Sequence, residues 1–252
     1  MDSFIDKIAE TIIKSQRILF ITGAGISADS GLPTYRGVSG LYESKNTEDG
    51  IQIEHALSGG MMKTNPEISW KYISQIEAVC RNKQPNQGHH MIYQLETLGK
   101  NIWVLTQNID GFHHSAGSTN VIDIHGHIYD LMCTQCRYKT KVKSYQELAT
   151  IPPFCPACNH LVRPQVVLFD EMLPLDKLEK LSDELNNGFD MVFSIGTTSV
   201  FPYIAQPVLD AANKRIPTIE INPSETTVSH YVTYRIQDTA AKTLDAIWQK
   251  IK

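Results

Sequence analysis

Apolar positions along this chain recur in two periods. Phe4, Ile5, Ile8, Ala9, Ile12 and Ile13 fall at helical spacing, so residues 4–15 read as an amphipathic helix. The unbroken apolar run Ile18, Leu19, Phe20, Ile21 has the length of a buried strand. Residues 101–106 and 191–195 are largely apolar in the same way, and residues 121–125, 165–169 and 218–221 also read as strands. Between them, helices are predicted over 66–80, with Pro66 tolerated in the first turn, and over 85–98, ended by Gly99. Further helices are predicted over 175–185, 204–213 and 240–251, the last with Leu244, Ile247, Trp248 and Ile251 on one side. Strands alternating with helices predict an α/β fold with a parallel, doubly wound sheet. From residue 38 to about residue 60 no period is sustained, and a mobile loop with short turns is expected there.

The turns after the strands carry the candidate chemistry. Gly23, Gly25 and Ala28 stand at G-x-G-x-x-A spacing after the first strand. Gly23 permits a tight turn, Gly25 would let a pyrophosphate approach the backbone, and small Ala28 would let a helix pack on the sheet. The amides at that helix start favour an anion. Gly31 and Pro33 then break the helix almost at once, and Thr34, Tyr35, Arg36 and Gly37 follow. An aromatic and a cation thus lie just beyond the turn, where a loop could fold over a cofactor. The strand at 101–106 runs into Gln107, Asn108, Ile109 and Asp110, at the strand end where ligands collect in open α/β sheets. A helix cap is the alternative role for Asn108 or Asp110. His125 and Gly126 end another short strand, although from spacing alone His113, His114 and His127 compete for any catalytic role. Gly196, Thr197, Thr198 and Ser199 form a second small-residue turn, suited to phosphate or ribose.

Cysteine usage adds a metal. Cys133 and Cys136 form one C-x-x-C pair and Cys155 and Cys158 a second, at zinc-ribbon separation. Four thiolates can close a tetrahedron with no open position, so one structural zinc per chain is expected. A nucleic-acid ribbon is the competing use, but only Arg137, Lys139, Lys141 and Lys143 lie between the pairs. The 252 residues carry a formal charge of −4, with no whole-chain signal for nucleic acid or membrane. No apolar run is long enough to span a bilayer, and the acidic N-terminus is not a secretory signal. Together with the thiols these features point to the cytoplasm.

The ordered motifs GAGIS at 23–27, TYRG at 34–37, TQNID at 106–110, HG at 125–126, the cysteine pairs, RPQVVLFDE at 163–171, IGTTS at 195–199 and IN at 221–222 resemble the sirtuins, NAD-dependent protein-lysine deacylases. The resemblance runs from Ile18 to about Lys242. It implies a Rossmann-like NAD-binding domain from residues 1–37, 100–126 and 164–252, a cofactor loop and helical insertion over 38–99, and a zinc ribbon over 127–163. By the same resemblance Gly23, Ala24, Gly25, Ile26 and Ser27 would hold the pyrophosphate side, and Pro33, Thr34, Tyr35 and Arg36 would close over the cofactor. Gln107, Asn108, Ile109 and Asp110 would line the nicotinamide and ribose pocket. Gly196, Thr197, Thr198, Asn222 and Ala240 would serve the phosphate and adenosine side. His125 would be the general base, with Asn108 as its catalytic companion, and Val167, Leu168, Phe169 and Glu171 would meet an acyl-lysine peptide, possible as an added strand.

The implied reaction is attack of the acyl-lysine amide oxygen on C1′ of the nicotinamide ribose, with nicotinamide departing. His125 then takes a proton from a ribose hydroxyl, and O-acyl-ADP-ribose and free lysine are the products. A monomer is expected. Three departures from the family pattern stand out. Asp170 replaces the glycine of F-G-E, Thr198 stands where serine is commoner, and Tyr72 lacks an arginine three residues on, where Gln75 stands instead. The last favours acetyl or another neutral acyl group over an acidic one. Transfer of ADP-ribose to protein and a non-enzymatic zinc-ribbon module that binds NAD are the alternative functions.

Overall fold

The computed structural model describes residues 2–34 and 47–252. In chain order the strands are β1 (Arg17–Thr22), β2 (Asn101–Thr106), β3 (Val121–Asp123), β4 (Gly126–Cys133), β5 (Lys139–Lys141), β6 (Val162–Val166), β7 (Met191–Ile195), β8 (Thr218–Ile221) and β9 (Tyr234–Ile236). The helices are α1 (Asp2–Lys14), α2 (Ala24–Ala28), α3 (Ile53–Ala56), α4 (Gly59–Thr64), α5 (Pro66–Cys80), α6 (Gln87–Thr97), α7 (Phe112–Ala116), α8 (Leu175–Asn186), α9 (Pro202–Asn213) and α10 (Ala240–Ile251).

Six strands form one parallel sheet in the order β3-β2-β1-β7-β8-β9. The central strands β1, β2 and β7 are mostly apolar because both faces are covered. Alternate residues of β1 go to opposite sides: Ile18 and Phe20 join α1, α6 and α10, while Leu19 and Ile21 join α8 and α9. Strand β2 divides the same way, with Ile102 and Val104 against Trp103 and Leu105. Phe20 and Phe193 stack at 4.6 Å across the centre. The chain leaves β1 towards β2 and β3, then returns to the other side of β1 as β7. The topological switch point therefore lies between β1 and β7, and ligands of such sheets bind beyond the carboxyl ends there.

A second, three-stranded antiparallel sheet has the order β5-β4-β6. Its core is shared with α5: Trp70, Tyr72, Ile73 and Ile76 pack with Ile128, Leu131, Tyr145 and Val162. The strand expected over 165–169 needs correcting, because Val162–Val166 belongs to this smaller sheet and not to the parallel one. Pro164 cannot donate to a ladder and is tolerated because β6 is an edge strand. Within the expected loop, α3 and α4 are short helices, the latter capped by Ser58 Oγ on Met61 N at 3.0 Å. Residues 38–46 of that loop, with Tyr35, Arg36 and Gly37 before it, lie outside the described residues. The short strand β9 carries no periodic signal and had no sequence expectation. It pairs parallel with β8 at the sheet edge. Among the described residues, no helix is long and apolar enough to cross a membrane.

Candidate active site and metal centre

Four strand ends converge at the switch point. Strand β1 delivers Gly23, which is the N-cap of α2. Its amide donates to Ile195 O at 3.0 Å, and the amide of Gly25 donates to Gly196 O at 2.8 Å. A Cβ at Gly25 would sit 2.5 Å from Gly196 Cα, and Gly196 itself has φ +59°. The glycines are thus required by the contact between the two turns, and the amides of Gly23 and Gly25, expected at an anion, already have partners. A second expectation also changes: Ala28 is exposed, and Ile26 and Ser27 hold α2 against the core. The helix is five residues long because Asp29 caps it and Gly31 turns away at φ +78°.

The end of β2 supplies side chains that bind these turns. Gln107 Nε2 donates to Thr197 Oγ1 at 2.7 Å. Asn108 Nδ2 donates to Gly23 O at 3.0 Å and to Ser27 Oγ at 3.1 Å. Ser27 Oγ donates to Asp110 Oδ2 at 2.7 Å, and Asp110 Oδ1 accepts from Phe112 N at 2.9 Å. Burial pushes the Asp110 carboxyl above its ordinary range, offset in part by those two donors. On the far side, Asn222 Nδ2 donates to Thr197 O at 3.0 Å, and Ala240 is buried at the start of α10.

His125 stands two residues beyond β3. Its Nδ1 is 2.9 Å from Gln107 O, and its Nε2 is 2.7 Å from the Tyr203 hydroxyl. A carbonyl only accepts, so Nδ1 carries the proton and Nε2 presents the lone pair. Burial lowers the imidazole pKa from its usual value, against the raising effect of the Gln107 carbonyl. The ring is therefore neutral near pH 7. The competing histidines are placed elsewhere. His113 is buried 3.0 Å from Thr22 Oγ1, His114 pairs with Asp123 at 2.7 Å, and His127 lies against Gly111.

On the peptide side, Val167 N donates to His125 O at 2.8 Å. Phe169 donates to Leu57 O at 3.0 Å and accepts from Gly59 N at 2.9 Å. The free strand edge expected through Phe169 is consequently already paired with the 57–59 segment, while its ring is 39% exposed. Leu168 is buried, and Glu171 forms a two-pronged ion pair with Arg163 at 2.5 and 2.9 Å. Asp170 adopts φ +65°, and its carboxylate accepts from Gly59 N at 2.9 Å and Gly60 N at 3.3 Å.

The four paired cysteines form a second centre. Their Sγ atoms lie within 4.8 Å of one another, with Cys133 and Cys158 at 3.4 Å and Cys136 and Cys155 at 3.6 Å. Tetrahedral zinc at the usual Zn–S length puts its sulfurs about 3.8 Å apart, so the donor set fits a closed structural zinc site. Cys80 is remote from it, buried, and its thiol is pushed up to about 12.

The model of the Sir2 family matches residues 23–202. The chain belongs to the Sir2 family. Within that family, NAD-dependent protein deacylase 2 of Pseudomonas syringae pv. tomato is 47% identical over 235 residues, 92% of this chain and 94% of that protein. The protein of the same name from Pseudomonas aeruginosa is 44% identical over 95% of both chains. Among solved structures, a Sir2 homologue in complex with NAD superposes with a TM-score of 0.87 at 34% identity, covering 98% of this chain and 93% of that one. A Sir2 mutant with a deacetylated p53 peptide and 3′-O-acetyl ADP ribose gives 0.87 at 25% identity, over 98% of each.

Of the residues expected at the nucleotide, Gly23, Gly25, Ser27, Gln107, Asn108, Gly196, Thr197 and Asn222 are joined by hydrogen bonds or backbone contact, Ile109 packs with the core of the smaller sheet, and Tyr35 and Arg36 lie outside the described residues. Pro33 and Thr34 are half-buried after the α2 break, and Thr198 is exposed at the β7 turn. Two residues have no sequence expectation. Asn86 donates to Ile26 O at 2.7 Å and Ser30 Oγ at 3.0 Å, tying the start of α6 to α2. Tyr203 has no local signal at all, since its partner is 78 residues away.

Proposed function

We propose that this chain removes acyl groups from protein lysine, using NAD as co-substrate. One observation carries the assignment: a neutral imidazole, His125, is fixed by the Gln107 carbonyl on Nδ1 and turns its Nε2 lone pair to Tyr203, on the helix that follows the Gly196 turn. That arrangement suits a general base acting on a weakly acidic hydroxyl. Bound NAD would supply an electrophilic ribose carbon with nicotinamide as its leaving group. Gln107 and Asn222 each keep one amide N–H, and Thr197 its hydroxyl proton, beyond the bonds already made, a donor set suited to ribose and phosphate oxygens. Asn108, placed between Gly23 and Ser27, would orient the nicotinamide end, and Gly196, Thr197, Thr198 and Ala240 the adenosine end. Val167, Leu168, Phe169 and the Arg163–Glu171 pair shape the side where an acyl-lysine peptide would enter.

The acyl group is read as neutral. Tyr72 is the residue that would greet an acyl carboxylate, yet its hydroxyl donates to Asp49 Oδ2 at 2.6 Å. Asp49 is held ionised by Lys71 and Tyr72, so the one hydroxyl proton of Tyr72 is already given to a carboxylate and does not serve a second. Mass spectrometry of acetyl-, longer neutral acyl- and succinyl-lysine peptides, with and without NAD, tests both statements. Turnover of neutral acyl peptides only with NAD is expected. NAD-independent loss of acyl groups would refute the reaction, and preferential desuccinylation would refute the specificity.

A further inference from the structure

The base nitrogen of His125 is already engaged. An imidazole nitrogen has one in-plane lone pair and takes one strong hydrogen bond. Since Nδ1–H is donated to Gln107 O, the Tyr203 hydroxyl at 2.7 Å must be the donor to Nε2. The phenol stays protonated, its pKa pushed up to about 12 by burial. Any substrate hydroxyl that gives its proton to Nε2 therefore has to take the position Tyr203 occupies.

Tyr203 is well placed for this. It is the second residue of α9, directly after Pro202, and its ring stacks on Phe201 at 5.5 Å and 15°. The short turn from Gly196 to Phe201 joins it to β7, so the same loop that meets Gly25 also carries the tyrosine. Tyr203 is half-buried, not locked in the core. It also lies one residue past the segment matched by the family model.

We infer that Tyr203 is a positioning residue which, in the unliganded protein, stands in for the ribose hydroxyl on His125 Nε2, holding the base in its reactive tautomer until the dinucleotide displaces it. The inference rests on His125 being the base of the proposed reaction. It implies that dinucleotide binding carries the cost of breaking one hydrogen bond, so its apparent affinity is lower than the site alone would give. One ordinary hydrogen bond corresponds to about fivefold.

Tyr203→Phe keeps the ring and the stack on Phe201 and removes only the donor. Long-range proton–nitrogen NMR of the His125 ring in the free protein should show Nδ1 protonated and Nε2 as a hydrogen-bonded acceptor. The Nε2 resonance should shift in Tyr203→Phe, and in the wild type on titration with NAD. In turnover the larger change should fall on KM for NAD, which drops about fivefold, with a smaller change in kcat. An Nε2 resonance identical in both proteins, a proton on Nε2, or a KM that stays or rises would overturn the inference. The NMR arm needs no turnover, so failure of the proposed reaction is separable from failure of the contact. If the variant does not fold, the wild-type titration alone decides: an Nε2 signal unmoved by bound NAD refutes displacement.

Discussion

Gly25 and Gly196 interlock, each filling the space where the other would carry a side chain. A Cβ on either would lie 2.5 Å from the Cα of its partner. The two glycine turns are thereby held at backbone contact across the switch point. Gly25→Ala should push them apart and weaken NAD binding at least tenfold by calorimetry, with a fall in melting temperature. Gly196→Ala should cost more in stability, because φ +59° adds backbone strain of about 1 kcal/mol. Wild-type affinity in Gly25→Ala would show that the turns have slack.

His125 should act as a base in its neutral form. His125→Ala is expected to keep its fold and lose about 10² to 10⁴ in kcat. Burial lowers the imidazole pKa, so the neutral form persists to lower pH than for a free histidine. The acid limb of kcat/KM should lie below the ordinary histidine value of 6.5. A limb above that value would contradict the assignment.

A buried pair of histidines should make the fold acid-sensitive. His89 and His113 lie 4.9 Å apart by ring centroid, and burial pushes His89 down to about 3 and His113 well below its ordinary value. Unfolded, each binds a proton near 6.5; folded, neither does until far lower pH. Their contribution to stability is complete above 6.5 and is lost as pH falls from there towards 3. Urea unfolding across that range should show His89→Gln flattening the dependence by up to about 1.4 kcal/mol per pH unit.

Asp170 trades backbone strain for a helix cap. Its positive φ disfavours a side chain, yet its carboxylate satisfies the first amides of α4. Asp170→Gly removes both and should change stability by less than about 1 kcal/mol. Asp170→Ala keeps the strain, loses the cap, and should be less stable than the glycine variant by about 1 kcal/mol in chemical denaturation. The reverse ranking would remove the capping role.

Zinc should hold the smaller sheet and nothing else. Metal analysis should find one zinc per chain. Chelation should raise amide exchange in β4, β5 and β6 before it does so in β1 and β7. Uniform loss of protection across both sheets would show that the two units unfold together.

Much was decided by the sequence alone, because it depends on neighbours in the chain. Apolar runs mark β1 and β2, and a nearly apolar one marks β7, since a strand covered on both faces has no polar side to alternate. Gly23, Gly25 and Gly196 mark turns, and the cysteine spacing marks a metal centre before any coordinate exists. Tertiary structure decided what those features touch. Val162–Val166 joined the small sheet because it pairs antiparallel with β4, a strand about 30 residues earlier in the chain. Spacing alone left His125 level with His113, His114 and His127; the family resemblance singled it out, and the tertiary structure added its contacts with Gln107 and Tyr203. Periodicity is local and specifies an element and its buried faces. Which strand end meets which helix start depends on the order in which distant segments close the sheet, and no single stretch of chain encodes that order.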